Sequence, residues 1–222
     1  MSSNDNARAV IPCRAVLFDF DGVIADTMEA NLRAWQRAFS VHGAHVLAED
    51  YLPLEGMSPA DVAVALGTKC GLAGEAVRET PLLKERFFLQ GEKCAIFPAV
   101  PALLADLRAA GILLALVTGA SRLRLESSLP QELLAFFDAY VTADCTTRGK
   151  PSPDPFLRAA ESVGLGSADC VVVENAPLGI ASAKRAGMRC VAVCSTLGPE
   201  SLQEADYIVA DLEEAGRLLL PG

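Results

Sequence analysis

This 222-residue sequence predicts an α/β fold: a Rossmann-like parallel sheet core with an inserted α-helical cap domain. Three observations predict it. Short apolar runs of strand length recur along the chain, and most are separated by stretches with helical spacing. Over this length, that alternation builds a parallel sheet covered on both faces. Between about Thr27 and Ile96 the alternation stops and only helical patterns remain. Finally, the first apolar run ends in Asp19-Phe20-Asp21-Gly22, two carboxylates and a glycine where a buried strand should meet solvent.

The elements follow in order. Met1-Ser2-Ser3-Asn4-Asp5-Asn6 is polar, lacks the layout of a signal peptide and reads as a loose tail. Ala15–Phe20 is the first strand. Met28–Val41, Pro59–Leu66 and Gly74–Gln90 are helices of the insertion, the last open to a break at Pro81. No strand is expected among them. Hinges near Asp26-Thr27 and Ala95–Pro98 divide the chain into a core of 1–26 and 97–222 and a cap of 27–96. Val100–Ala110 is a helix, with Val100, Leu103, Leu104 and Leu107 on one face and Gly111 at its end. Ile112–Val117 and Ala139–Thr142 are strands. Pro155–Val163 is a helix ended by Gly164, and Leu178–Ala186 one ended by Gly187. Val171–Glu174, Val191–Cys194 and Tyr207–Val209 complete the strands. No internal repeat or low-complexity segment appears.

Composition narrows the partners. A formal net charge of −9 argues against nucleic acid, which favours a basic face. It leaves room for a small anionic substrate, because a metal and local lysines set the field inside a cleft. No apolar run approaches the ~18 residues that span a bilayer. The seven cysteines are odd in number and form no Cys-x-x-Cys, so neither a disulfide framework nor a zinc site is signalled. They read as small hydrophobes in a reducing cytoplasm. A monomer or small homo-oligomer is expected.

Chemistry collects at the strand ends, where parallel sheets bind ligands. Two acids as close as Asp19 and Asp21 repel unless a cation or proton lies between them. Such a pair suits a divalent metal and a nucleophile. Thr118-Gly119-Ala120-Ser121 follows the second core strand. It can cradle a phosphoryl oxygen, or be a plain turn with Ser121 as helix cap. Lys150 opens the stiff loop Pro151-Ser152-Pro153-Asp154-Pro155, which holds a long side chain at low entropic cost. Glu174-Asn175 offers hard oxygen ligands of the kind Mg²⁺ prefers, or a helix start. Each feature alone is ambiguous, but four in one chain are not a coincidence.

The arrangement resembles the haloacid dehalogenase-like hydrolases, in the branch with a helical cap after the first strand. The resemblance runs from about Arg14 to Leu220. It rests on Asp19-Phe20-Asp21-Gly22-Val23 with Asp26-Thr27, on Leu116-Val117-Thr118-Gly119, on Gly149-Lys150-Pro151-Ser152-Pro153-Asp154-Pro155-Phe156, and on Val172-Val173-Glu174-Asn175-Ala176-Pro177-Leu178-Gly179. It implies a Mg²⁺-dependent phosphohydrolase of a small phosphorylated metabolite or pyrophosphate. Asp19 would attack phosphorus and become an aspartyl phosphate. Asp21 would protonate the leaving oxygen and then activate water. Thr118, Gly119 and Lys150 would bind the phosphoryl group. Mg²⁺ would be held by Asp19, the Asp21 backbone carbonyl, Glu174 and Asn175. On this reading Asp21 can hold a proton at neutral pH if a neighbouring negative charge and the closed cap raise its pKa.

Two departures stand out. The family often has Glu-Asp where this chain has Glu174-Asn175, so one negative charge is missing. Glu55, in Leu54-Glu55-Gly56-Met57, is the candidate to replace it from the cap, a feature that resembles a sub-branch including inorganic pyrophosphatases. The β-phosphoglucomutases share Arg33-Ala34-Trp35 but often carry histidine at the place of Asn31 and a basic residue in the cap loop. Ser58-Pro59-Ala60-Asp61-Val62 has none, which weakens the alternative of a hexose-phosphate mutase. Trp35 reads as cap packing, and His42 and His45 as helix-end residues. A phosphoacceptor receiver-like signalling domain is the alternative from another class. Receivers also use clustered acids, a hydroxyl and a lysine, but they are shorter and lack such an insertion.

Overall fold

The computed structural model describes residues 10–91 and 94–220. The segment 1–6, read as a loose tail, lies outside them. In chain order come β1 (Ala15–Asp19), β2 (Ala25–Asp26), α1 (Met28–Ser40), α2 (Ala48–Tyr51), α3 (Pro59–Cys70), α4 (Glu75–Leu89) and β3 (Ala95–Ile96). Then follow α5 (Val100–Ala109), β4 (Leu113–Val117), α6 (Arg122–Ser128), α7 (Gln131–Leu134), β5 (Ala139–Val141) and α8 (Asp154–Ser162). The chain closes with β6 (Cys170–Glu174), α9 (Pro177–Arg185), β7 (Arg189–Val193), β8 (Tyr207–Val209) and α10 (Leu212–Leu219).

Six strands form one sheet in the order β5-β4-β1-β6-β7-β8, and each neighbouring pair is parallel. The runs are apolar throughout because both faces are covered. Val16, Phe18, Leu114, Leu116, Val171 and Val173 face one core, with α5 and α10 on that side. Ala15, Leu17, Ala115, Val117 and Val172 face the other, with α8 and α9. The chain leaves β1 for β4 on one side and returns to β6 on the other. The carboxyl end of β1 is therefore a switch point, where side chains from both neighbours converge.

The helices between β2 and β3 pack around a core of their own, built on Trp35, Phe39, Tyr51, Val62 and Leu66. Trp35 is thus packing, as its sequence context suggested. Two expectations are corrected here. A strand does occur in this stretch: Ala95–Ile96 pairs antiparallel with Ala25–Asp26, so a two-stranded ribbon joins the helices to the sheet. Two residues per strand are too few for a period to show. The helix α4 also runs unbroken through Pro81. Proline leaves the carbonyl four residues back without a donor, and here Thr80 Oγ1 donates to that Val77 oxygen at 2.9 Å. Among the described residues no helix is long and apolar enough to cross a membrane, and all seven cysteines are unpaired.

Candidate active site

Asp19 is the last residue of β1, in register with Val117 of β4, so it stands beside the turn that begins at Thr118. Beyond it the chain turns at once: Phe20 O accepts from the amides of Val23, Ile24 and Ala25. Gly22 makes this turn possible with φ +80°, and a side chain there would strike Asn175. The turn swings Asp21 back over the end of the sheet.

Lys150 ties three segments together. Its ammonium, 3% exposed, donates to Asp19 Oδ1 and, at 2.6 Å, to Glu174 Oε1. The other Glu174 oxygen accepts from the amides of Asn175 at 2.8 Å and Ala176 at 3.0 Å, at the entrance to α9. Glu174 thus serves the helix start with one oxygen and meets Lys150 with the other. Gly179 leaves the room, because a Cβ there would overlap the Glu174 carboxylate. Glu55 arrives from the helical part. It is 4% exposed, and its Oε1 accepts from Asn175 Nδ2 at 2.8 Å.

Negative charge exceeds positive charge at this end. Burial pushes the Asp19 carboxyl up against the pull of Lys150, with Glu174 and Asp21 adding to the rise. Burial also works against the Lys150 ammonium, but Asp19 and Glu174 outweigh it and hold its pKa above the ordinary range. Glu55 is driven well above its ordinary value, first by burial and then by Asp19, Glu174 and Asp21, with Asn175 opposing. Among the described residues no three His, Cys, Asp or Glu side chains form a ready-made metal cluster. A hard cation here would draw on mixed donors instead. The donors fit: Glu55 Oε2 and Asn175 Oδ1 are buried without a hydrogen-bond partner, and the field is short of positive charge.

This excess predicts a pH effect. The Glu55 carboxyl titrates higher folded than unfolded. Its contribution to stability is full below the unfolded pKa and falls away as pH rises through the folded one. Without metal, Glu55→Gln is expected to be more stable than wild type at pH 8, with the gap closing towards pH 4. Urea unfolding with a chelator present checks this, and an equal gap at both pH values would contradict it.

Asp21 lies in the opposite kind of field. Oδ1 accepts from Thr27 Oγ1 at 2.6 Å and Asn31 Nδ2 at 3.1 Å. Oδ2 accepts from Arg124 Nη2 at 2.9 Å and Thr118 Oγ1 at 3.3 Å. Burial alone would raise its pKa, but Arg124, Thr27, Lys84 and Asn31 outweigh burial and hold it below the carboxylate range. The negative charge that would raise the Asp21 pKa is thus outweighed here by Arg124 and the hydrogen-bond donors around the carboxylate. Lys84 Nζ and Arg124 Nη1 both donate to Asn31 Oδ1, at 2.6 and 2.7 Å. Burial and Arg124 bring the Lys84 pKa down to about 7, against the pull of Asp21 and Glu85.

Asn31, Lys84 and Arg124 carry much of this field, and as site groups they are absent from the sequence reading. Lys84 had one available signal: Thr80, Lys84 and Phe88 fall four apart on the buried face of α4. Ser121 does cap α6, accepting from the Arg124 amide at 3.1 Å, and this places Arg124 in the first turn. Gly119 lines a partly open chamber between Asp21 and the helical part, a cavity of about 40 Å³ also lined by Trp35, Tyr51, Leu54, Met57 and Val62. His42 stands 4.0 Å from Glu79, at the end of α1.

Known proteins resemble this chain in sequence and in fold. The model of the haloacid dehalogenase-like hydrolases matches residues 16–193. Hexitol phosphatase A of Escherichia coli (strain K12) is 31% identical over 91% of this chain and 93% of its own length. The Arabidopsis thaliana protein Suppressor of Quenching 1, chloroplastic, is 33% identical over 86% of this chain, which spans only 19% of that longer protein. Among solved structures, CbbY from Rhodobacter sphaeroides in complex with phosphate has a TM-score of 0.79 at 26% identity, covering 93% of this chain and all (100%) of that one.

Proposed function

The chain belongs to the haloacid dehalogenase-like hydrolases, and from that premise we propose a Mg²⁺-dependent phosphohydrolase of a small phosphorylated metabolite or pyrophosphate. The observation that carries the reading is Lys150, whose ammonium holds Asp19 and Glu174 together at the carboxyl end of the sheet. A carboxylate approaches a phosphate dianion only when cations screen the two. The similarity to a hexitol phosphatase supports a phosphate ester as substrate.

Asp19 attacks phosphorus, the ester or anhydride bond to the leaving oxygen breaks, and an aspartyl phosphate forms. Lys150, Thr118 and the backbone at Gly119 hold the phosphoryl oxygens. Asp21 enters the cycle carrying a proton and gives it to the leaving oxygen. The carboxylate left behind, held by Arg124 and Thr27, then takes a proton from the water that hydrolyses the intermediate, which restores the acid. Asp19, the Asp21 backbone carbonyl, Asn175, Glu174 and Glu55 would hold Mg²⁺. When bound, the ion neutralises the transferred phosphoryl group and the acids around it.

Residues 27–96 act as a cap in this reading, moving on the β2–β3 ribbon and closing through Glu55 on Asn175. A reducing cytoplasm suits the unpaired cysteines. A hexose-phosphate mutase is the second reading, favoured by Arg124 and Lys84, which supply the cations that the cap loop lacks. The deciding experiment is phosphate release with Mg²⁺ across sugar phosphates, phosphoglycolate, nucleotides and pyrophosphate, beside a glucose-phosphate isomerisation assay. Asp21→Asn is expected to lower turnover about 10³-fold or more on every active substrate. Full activity in that variant would remove Asp21 from proton transfer. A phosphorylated form that accumulates without turnover would point to a receiver.

A further inference from the structure

Two cations at the site have no assigned ligand. Arg124 and Lys84 are each 4% exposed, and both line the chamber beside Asp21. They converge on one neutral oxygen, Asn31 Oδ1. Arg124 also meets Asp21 Oδ2, the same oxygen that Thr118 Oγ1 approaches. The guanidinium therefore begins one carboxylate away from the phosphoryl cradle. Lys84 has no such partner. Among the described residues no carboxylate lies within ion-pair distance of its Nζ. Besides Asn31 it faces the rings of Phe88 and Trp35, at 5.1 and 5.8 Å.

Arg124 has Asp21 as counter-charge at 2.9 Å, but that one carboxylate faces two cations, and a buried ammonium with no ion pair of its own is unfavourable. Arg124 breaks a further local rule. It sits in the first turn of α6, where the helix field disfavours a cation. Its Nε is buried and makes no hydrogen bond, the nearest acid being Glu85 Oε2 at 3.9 Å. Sequences depart from local rules in this way chiefly at functional sites. Asp19, Asp21 and Glu55 line the same cavity, so acids and cations face one space.

We propose that Arg124 and Lys84 form a subsite for a second anionic group of the substrate, a carboxylate or a phosphate a few bonds from the transferred phosphoryl. The inference rests on the phosphohydrolase reading and names its substrate class: short bis-anions rather than neutral polyol or nucleoside monoesters. The short spacing follows from Asp21 Oδ2, which meets both Arg124 and the Thr118 hydroxyl of the phosphoryl cradle. Arg124 is the specificity-determining residue, since its planar fork suits a two-oxygen anion.

Phosphoglycolate and 2-hydroxyethyl phosphate differ at the far end only in a carboxylate against a hydroxymethyl group. Wild type should favour the acid by at least about 30-fold in kcat/KM, and Arg124→Met should cut that preference below about 3-fold. Pyrophosphate, the phosphate arm, should lose rate in step with phosphoglycolate. A merely structural Arg124, acting through Asp21, would lower all three substrates equally and overturn the proposal. So would a wild type without preference for either acid. Arg124→Lys keeps the charge but not the fork and should retain only part of the preference, more than Arg124→Met does, which separates charge from misfolding. Lys84→Met should weaken it without erasing it.

Calorimetric binding in the presence of Mg²⁺ reads the subsite without turnover. Methylenebisphosphonate should bind wild type at least about 30-fold tighter than methylphosphonate, and Arg124→Met only about 3-fold tighter. If that contrast holds but no phosphate ester or anhydride is hydrolysed, the phosphohydrolase reading fails and the subsite stands. If hydrolysis proceeds but the contrast is missing, the subsite fails alone.

Discussion

Asp19→Asn lowers turnover by about 10⁴-fold or more and leaves the fold intact. The amide has the shape of the carboxylate but no lone pair of comparable nucleophilicity, so the first bond to phosphorus does not form. Stability is not expected to fall. Asp19 and Glu174 share one ammonium in a buried pocket, and Glu55 stands nearby. Removing one acid from that set relieves like-charge repulsion, so the metal-free variant should unfold at equal or higher urea concentration than wild type. Phosphate release measures the rate, and mass spectrometry of quenched reactions should find a phosphoryl adduct on wild type alone. A variant within tenfold of wild type would rule out Asp19 as the attacking group.

Lys150→Met damages both stability and rate. Its side chain is 2% exposed and those of its partners 8% and 1%, so water cannot take over its role. Removing one member of a buried ion cluster leaves the others uncompensated, which is destabilising by about 3–5 kcal/mol. Turnover should fall about 10³-fold as the phosphoryl group and the nucleophile lose their shared cation. Adding Glu174→Gln to Lys150→Met should restore part of the stability and none of the rate. That split tells a charge imbalance from a simple packing defect. A loss under about 1 kcal/mol in the single variant would show that the cluster does not hold this end of the sheet together.

Much of the fold was legible because each core strand carries its own signal. Both faces are buried, so the runs are apolar throughout, and glycines end the helices at Gly111, Gly164 and Gly187. The residues gathered at the sheet end were legible for a related reason. Asp19, Thr118 and Glu174 close or follow strands, where a polar residue breaks an apolar run. Arg124 and Lys84 offered no such break. A lysine or arginine on a helix ordinarily faces water, and only the packing of α4 and α6 over the sheet end turns these two inward. The field at Asp21 was hidden for the same reason: it depends on a guanidinium 103 positions away along the chain. The β2–β3 ribbon escaped because two-residue strands have no period. The unbroken α4 escaped because its repair is a side-chain hydroxyl rather than a backbone pattern.

That repair has a mechanical consequence. α4 is a lever, with Pro81 as its weak point and Thr80 as the splint. Lys84 and Phe88 lie on the far arm, one and two turns beyond. A bend at Pro81 would carry both away from Asn31 together, without altering a single atom of either. The direction in which a buried ammonium points is thus set by a hydroxyl one turn away that belongs to no binding surface. Selection on this enzyme's chemistry can therefore act on Thr80, a residue that the chemistry never touches.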